Sequence, residues 1–381
     1  MKIGIEAQRI FRKKRHGMDM VAVELIRNLQ QLDKVNEYFI FVNQVEDSSC
    51  ISESSNFKII RLPPSPYPIW EQWYLPRAAK KFGLDILHCT SNTAPFWGKV
   101  PLVLTLHDII YLEKLNFRSG TWYQRLGNLY RWWNVPQIVP KATRILTVST
   151  YEQKRIKEHF TEEDPDKTVV VHNGVSLHFQ PISPALQEEK RKSYGLPEKF
   201  ILFLGNTDPK KNLKGVLEAL AILDRENQLS LPLVMPDFGE KELMALLESM
   251  SAKDLRSKIH LTGYIPNQDL PAVYAKAEIF LYPSLRESFG LPILEAMACG
   301  CPVITSNTSS MPEIAGDAAI LVDPFDPRSL ADAIKHLLLD TYKRQQLIFK
   351  GFTRPPMFSY QRGAEKVLDI YSYTFSQSNE R

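Results

Sequence analysis

Cysteine is scarce in this chain, with four among 381 residues: Cys50, Cys89, Cys299 and Cys301. None has the paired spacing of a metal site, and Cys299-x-Cys301 falls in an apolar helix-to-strand turn, where packing is the ordinary use. The pattern fits a reducing, cytoplasmic setting. No apolar run reaches the roughly 20 residues needed to span a bilayer. Met1-Lys2-Ile3-Gly4-Ile5 begins directly as a strand, so no signal peptide is expected. Charge of neither sign prevails: 47 Lys and Arg stand against 43 Asp and Glu, a net +4. That argues against a nucleic-acid partner and leaves a local basic face open. No Gly-x-Gly-x-x-Gly follows a strand, which disfavours a dinucleotide-dependent dehydrogenase. What remains is globular, 44% apolar and 24% charged, and long enough for two domains of roughly 150 to 200 residues.

One stretch organises the rest. Ala277 to Tyr282 reads as an apolar strand, a loop carrying Glu287 follows, a helix begins near Leu291, and Val303-Ile304 restart a strand. This is a parallel α/β unit. Gly290 permits backbone torsions that other residues resist, and Pro292 suits a first helical turn. The free amides of that turn make a seat for an anion such as a diphosphate. Glu287 and Glu295, with seven residues between them, bracket the seat. A carboxylate cannot usefully touch a phosphate, so each is read as an acceptor for hydroxyls of a ligand whose phosphates lie between them. The bland alternative is a helix with surface glutamates.

This Glu-x7-Glu stretch, with its flanking residues, resembles that of the retaining nucleotide-sugar glycosyltransferases of family 4 (group 1). The resemblance implies the α/β GT-B fold, two Rossmann-like doubly wound parallel-sheet domains facing a central cleft. It implies that Glu287 contacts the donor sugar, that Ser288, Phe289, Gly290 and Leu291 hold the diphosphate, and that Glu295 binds the ribose hydroxyls.

In the first half, Lys2 to Glu6 reads as a strand and Asp19 to Leu32 as an amphipathic helix. The loop Arg9 to Gly17 between them faces the ligand crevice. In the family it is rich in glycine, the last of which approaches the diphosphate; here only Gly17 matches. Its Arg and Lys residues leave three readings open: acceptor phosphate binding, membrane-surface attraction, or a solvated loop. Trp70, Trp73 and Tyr74, on a helix expected over Ile69 to Phe82, fall at helical spacing and read as core. His88, in a buried strand, reads as a satisfied core histidine. The loop Thr90 to Pro95 lies at that strand's carboxyl end, where it can line an acceptor cleft. His107 and Asp108 sit at the tip of the strand Pro101 to Leu106, where open α/β sheets place their chemistry. An exposed His there can donate to a sugar hydroxyl or leaving-group oxygen, with Asp108 capping the next turn. The pair is similar to the family's His-Asp, whose His contacts the donor sugar; a structural His is the alternative. Arg118 to Val139 interleaves aromatic and basic residues, as an interfacial helix does, though an ordinary packed helix shares the pattern. Ser149-x-x-Glu152 reads as a capping box. Asp164-Pro165-Asp166 spells a metal-binding motif in the wrong setting, so no metal and no cofactor is expected.

In the second half, Phe200 to Leu204 is a strand and Gly205 to Asn212 a loop opening the helix Leu213 to Asn227. Lys211 at this entrance can offset a diphosphate's charge as its bond to the sugar breaks. In the family pattern, Lys211 is the matching lysine, Lys210 stands for the preceding Arg, and Asn206 replaces an extra phosphate-binding Arg. A solvated Lys-Lys pair is the alternative. Relatives place the base by the turn at Tyr264 and Ile265. The helix from Gln361 is expected to pack back onto the first domain. The domains are thus 1–180 with 361–381, on the acceptor side, and 181–360, which binds the nucleotide sugar.

The resemblance implies a metal-independent retaining hexosyltransferase, with His107, Glu287 and Lys211 in catalysis. It would move a sugar, mannose among the candidates, from a nucleoside diphosphate sugar to a glycan or lipid-linked acceptor in surface polysaccharide assembly, cytoplasmic and open to peripheral membrane contact. The alternatives are an epimerase or phosphorylase of the same fold, or a non-catalytic sugar-nucleotide-binding protein.

Overall fold

The computed structural model describes residues 1–13, 17–43, 46–47, 49–113 and 122–379. The chain divides into two compact units, Met1–Gly174 with Tyr360–Arg381, and Val175–Ser359. In the first unit, seven strands form one parallel sheet: β1 (Lys2–Glu6), β2 (Glu37–Val42), β3 (Phe57–Arg61), β4 (Ile86–Cys89), β5 (Leu102–Thr105), β6 (Arg144–Thr147) and β7 (Thr168–Val170). Their order is β3-β2-β1-β4-β5-β6-β7. In the second, β8 (Ile201–Phe203), β9 (Leu233–Met235), β10 (Ile259–Leu261), β11 (Ile279–Tyr282), β12 (Val303–Ser306) and β13 (Ala319–Val322) run β10-β9-β8-β11-β12-β13. Each sheet is Rossmann-like, and each has a switch point, β1/β4 and β8/β11, where loops leave in opposite directions and open a crevice.

The inner strands of each sheet are short and almost wholly buried, as parallel strands covered by helices on both faces must be, while the edge strands β3 and β13 are partly exposed. Gly4 in β1 is a packing requirement, because a Cβ there would lie 2.3 Å from Leu84 and 2.8 Å from Phe41. Gly17–Leu32 and Tyr360–Asn379 pack together on one face of the first sheet, where Ile26, Val367 and Tyr371 share a cluster with Ile3 and Ile5. His88 is buried there as the sequence indicates, its Nδ1 2.6 Å from Tyr371 Oη and its Nε2 2.8 Å from Thr105 Oγ1. Burial, with His107 nearby, depresses its pKa to about 3, so it stays neutral. Tyr371→Phe leaves Nδ1 without this hydroxyl and is expected to cost about 1–3 kcal/mol, read as a lower denaturation midpoint.

Several elements differ from expectation. The first-unit helix begins at Gly17 and not Asp19. The helical stretch expected from Ile69 begins at Tyr67 and widens into a π-helix over Trp70–Tyr74. The wider turn sends Trp70 and Glu71 inward and leaves Trp73 55% exposed, so Trp73 is not a core residue. Two helices outside the sequence reading, Glu240–Ser249 and Thr341–Thr353, complete the second unit. All four cysteines are buried, and none is in a disulfide. Asp164 spends its carboxylate on the Asp166 amide, 2.9 Å away, as the cap of a 3-10 turn. No helix of the described residues is long and apolar enough to cross a membrane.

Candidate functional site

The β8/β11 switch point brings together two loops far apart in sequence. After β8, Asn206 Oδ1 accepts from the Asp208 amide (2.9 Å) and Asp208 Oδ1 from the Lys210 amide (3.1 Å), shaping the turn Pro209–Lys211. After β11, the Leu285 amide donates to the Lys210 carbonyl (2.7 Å), and Asn212 Nδ2 donates to the Pro283 carbonyl (3.0 Å). These bonds stitch the loops and aim Lys211 at Glu287, with Nζ 2.7 Å from Oε1. Both side chains are largely shielded, 19% and 12% exposed, so the pair is not the solvated lysine of the bland reading. Lys211 Nζ also donates to Tyr282 Oη (3.2 Å). Burial and the neighbouring Glu287 push the Tyr282 hydroxyl far up, so it remains a neutral partner.

Glu287 is held from its backbone as well. Ser309 Oγ accepts from the Glu287 amide (3.1 Å) and donates to its carbonyl (2.6 Å), and Ser310 Oγ lies 2.8 Å from the Phe289 carbonyl. Tyr282, Ser309 and Ser310 escaped the sequence reading. Only Tyr282 carried a signal, a tyrosine ending an otherwise apolar strand. Phe289 is buried edge-on against Phe358 and Ser288 is half-buried. Gly290 sits at φ +105°, a torsion side-chain-bearing residues resist, and Leu291–Ala298 starts directly after it with Pro292 in its first turn. Pro292 carries no N–H and the Ile293 amide donates to the Gly290 carbonyl (3.0 Å), so an anion at this opening would meet the Gly290 and Leu291 amides, with the positive end of the helix dipole facing the loop. Glu295, one turn on, accepts from Tyr274 Oη (3.1 Å), and burial raises its carboxyl to about 7. After β10, Ile265 is buried whereas Tyr264 is 70% exposed, a flat ring next to Gly263 at φ +72°. Lys210 rests near Asp208 (3.8 Å). One cation paired with one carboxylate, a helix start and a second carboxylate can together hold a molecule that carries phosphates and hydroxyls.

In the first unit, Asn92, at φ +68°, accepts from the His107 amide (2.7 Å), and His107 Nε2 lies 3.0 Å from the Thr90 carbonyl. A carbonyl only accepts, so Nε2 carries the proton and Nδ1 is an acceptor. Burial also lowers the pKa of His107. The expectation of an exposed, donating His is therefore corrected: it is buried, and its free nitrogen accepts. Asp108 Oδ1 accepts from the Ile110 amide (3.3 Å), the expected turn cap. Gly17 is the exposed first residue of its helix; among the described residues a Cβ there would meet nothing within 4 Å. Of the basic loop, Arg9 lies over the Tyr67 ring at 5.0 Å, while residues 14–16 lie outside the described residues. Among the described residues no group of three or more His, Cys, Asp or Glu is arranged to hold a metal.

Comparison with known proteins identifies the family. Residues 15–179 match Glycosyltransferase Family 4, and residues 187–354 match Glycosyl transferases group 1. The chain is 32% identical over 270 residues to O-antigen chain mannosyltransferase B of Escherichia coli, covering 71% of this chain and 69% of that protein. It is 29% identical to the serotype-specific mannosyltransferase WbdA of Escherichia coli over 73% of this chain, and spans only about a third (34%) of that relative. Anabaena Alr3699/HepE, solved with UDP and with UDP-glucose, superposes with a TM-score of 0.74 in its UDP complex, at 18% identity over 98% of this chain and 100% of that one. The chain is a glycosyltransferase with the GT-B fold. It belongs to the group 1, family 4 glycosyltransferases.

Proposed function

We propose that this glycosyltransferase moves a sugar, mannose being the first candidate, from a nucleoside diphosphate sugar to a glycan or lipid-linked acceptor in surface polysaccharide assembly, with retained anomeric configuration and without a metal. The observation that carries this reading is the shielded Lys211–Glu287 pair beside the Gly290 helix start. The mannosyltransferase relatives support the sugar and the setting, and the UDP-glucose complex of the Anabaena protein supports the donor class.

In this reading the diphosphate docks on the amides at Gly290 and Leu291. Lys211 and the helix dipole take up the charge that develops as the sugar C1–O bond to phosphate breaks. The acceptor oxygen bonds to C1 on the same face, and its proton passes to the departing phosphate oxygen. Glu287 accepts from hydroxyls of the sugar, and Glu295 from those of the ribose. Asn206 and Lys210 shape the phosphate loop, Tyr264 stacks on the base, and the Ile265 main chain reads its edge. His107 accepts a donor-sugar hydroxyl through Nδ1. Gly17 is assigned to the donor diphosphate, and the first unit otherwise to the acceptor side.

A thermal-shift panel of nucleoside diphosphates and their mannose, glucose and galactose esters tests this. A ligand held only by the native form raises the melting point. The expected result is stabilisation by one base, followed by transfer from its sugar ester to a polyprenyl-linked glycan. Donor consumption without acceptor would instead favour an epimerase, consumption with inorganic phosphate a phosphorylase, and binding without turnover a non-catalytic protein.

A further inference from the structure

Of six tryptophans in the chain, Trp70 is buried, whereas Trp97 is 73% exposed, Trp73 55%, Trp133 49% and Trp132 42%. Trp is among the most buried residue types on average, so four open rings call for a reason. All four belong to the first unit and come from three segments fastened to one another. Gln72, the neighbour of Trp73, donates to Tyr130 Oη (2.7 Å) and accepts from the Phe96 amide (2.9 Å). Phe96 packs edge-on against Trp133, with centroids 4.5 Å apart. Leu126 and Leu129 continue the Trp133 stripe at helical spacing and are themselves exposed.

Charge on these segments has one sign. Residues 94–101 and 122–141 contain no carboxylate, and the only one in 67–82 is Glu71, which is fully buried. Cations accompany the rings. The Arg77 guanidinium lies 3.2 Å from the Trp73 ring centroid, Lys141 Nζ donates to the Phe96 carbonyl (3.2 Å), Arg131 adjoins Trp132, and Lys99 follows Trp97 by two residues. Indole rings settle at the headgroup level of a bilayer, and Lys and Arg are drawn to anionic lipid.

We propose that the exposed tryptophans and cations of these three segments of the first unit form a peripheral docking surface for an anionic lipid bilayer. It does not depend on the transferase reading, because vesicle binding can fail while transfer to a soluble acceptor persists, and the reverse.

The test is co-sedimentation of the full chain with vesicles of phosphatidylcholine alone and of equal parts phosphatidylcholine and phosphatidylglycerol, with tryptophan emission read in parallel. The expected result is binding to the mixed vesicles with a blue shift, weakened by salt. The double variant W97S/W132S should lower the partition coefficient about tenfold or more. R77Q/K141Q should lower it about fivefold per charge on mixed vesicles only. F325S, which removes an exposed ring of the second unit, should leave it unchanged. These rings are exposed, so unaltered circular dichroism and melting are expected to confirm that the variants fold. Equal partitioning of wild type and W97S/W132S would overturn the proposal. So would absence of binding to either vesicle, or a dimer in sedimentation analysis that W97S/W132S dissolves while vesicles capture neither form.

Discussion

Glu287→Ala is expected to lower kcat for sugar transfer by about a hundredfold to a thousandfold, while the Kd for the nucleoside diphosphate stays within about threefold. The asymmetry follows from what the carboxylate touches. Glu287 is bonded to Lys211 at 2.7 Å, and its loop is clamped by Ser309 and Ser310; in the proposed role its carboxylate holds the sugar and not the nucleotide. Removing it leaves the lysine cation without its counter-charge and so no less attractive to a diphosphate. Glu295→Ala should do the opposite. Losing a carboxylate acceptor for ribose hydroxyls costs about 1.5–3 kcal/mol, a rise in Kd of about tenfold to a hundredfold, with kcat within about threefold. Lys211→Ala should resemble Glu287→Ala in kcat and also weaken diphosphate binding. Calorimetric titration with the nucleoside diphosphate and steady-state transfer kinetics separate the three. If Glu287→Ala destroys nucleotide binding, or Glu295→Ala spares it and abolishes turnover, the assigned roles are wrong.

The α/β architecture was legible because its signals are local. Short β-branched runs alternate with amphipathic stretches, and Gly290-Leu291-Pro292 announces a helix start within three residues. The bracketing glutamates were legible for the same reason, since both lie on one loop and helix. The partnership of Lys211 with Glu287 was not. It joins residues 76 positions apart, and only the adjacency of β8 and β11, a property of strand order, brings them together. Lys211 was accordingly expected to face a diphosphate, and its bond to Glu287 is the structure's addition. Ser309 and Ser310 act through hydroxyls on backbone carbonyls, a use that leaves no pattern in sequence.

Two misreadings have one physical origin each. The histidine at the β5 tip was expected to donate from an exposed ring, because strand tips in open sheets commonly face solvent. The positive-φ turn at Asn92 folds the Thr90 carbonyl over the ring and occupies its N–H. Trp73 was placed in the core by counting 3.6 residues per turn, and a π-helix breaks that count. The same break turns Glu71 inward, which no periodicity argument would allow for a carboxylate.

Glu71 is therefore a residue whose replacement should alter the pH dependence of stability. Its Oε1 lies 2.7 Å from Tyr67 Oη and 2.6 Å from Thr93 Oγ1, which are 2.8 Å from each other, while Oε2 meets Tyr130 Oη at 2.5 Å. The Tyr67, Thr93 and Oε1 triangle has three oxygen contacts and only two hydroxyl protons when Glu71 is ionised. A proton on Glu71 supplies the third. Full burial raises the carboxyl from its ordinary range to about 7, in the direction that this proton count requires. Between about pH 4.5 and 7 the folded protein then holds a proton that the unfolded chain has released, so stability contributed by this group is full below that window and falls as pH rises through it, by about 3 kcal/mol in all. Glu71→Gln keeps a neutral side chain that both donates and accepts but cannot ionise. Its stability relative to wild type should therefore climb by about 2.5 kcal/mol between pH 5 and pH 8, measured by urea unfolding at each pH. A difference that stays flat across that range, or climbs toward acid, would show that Glu71 is ionised in the folded protein and that the hydroxyls around it are arranged for a charge.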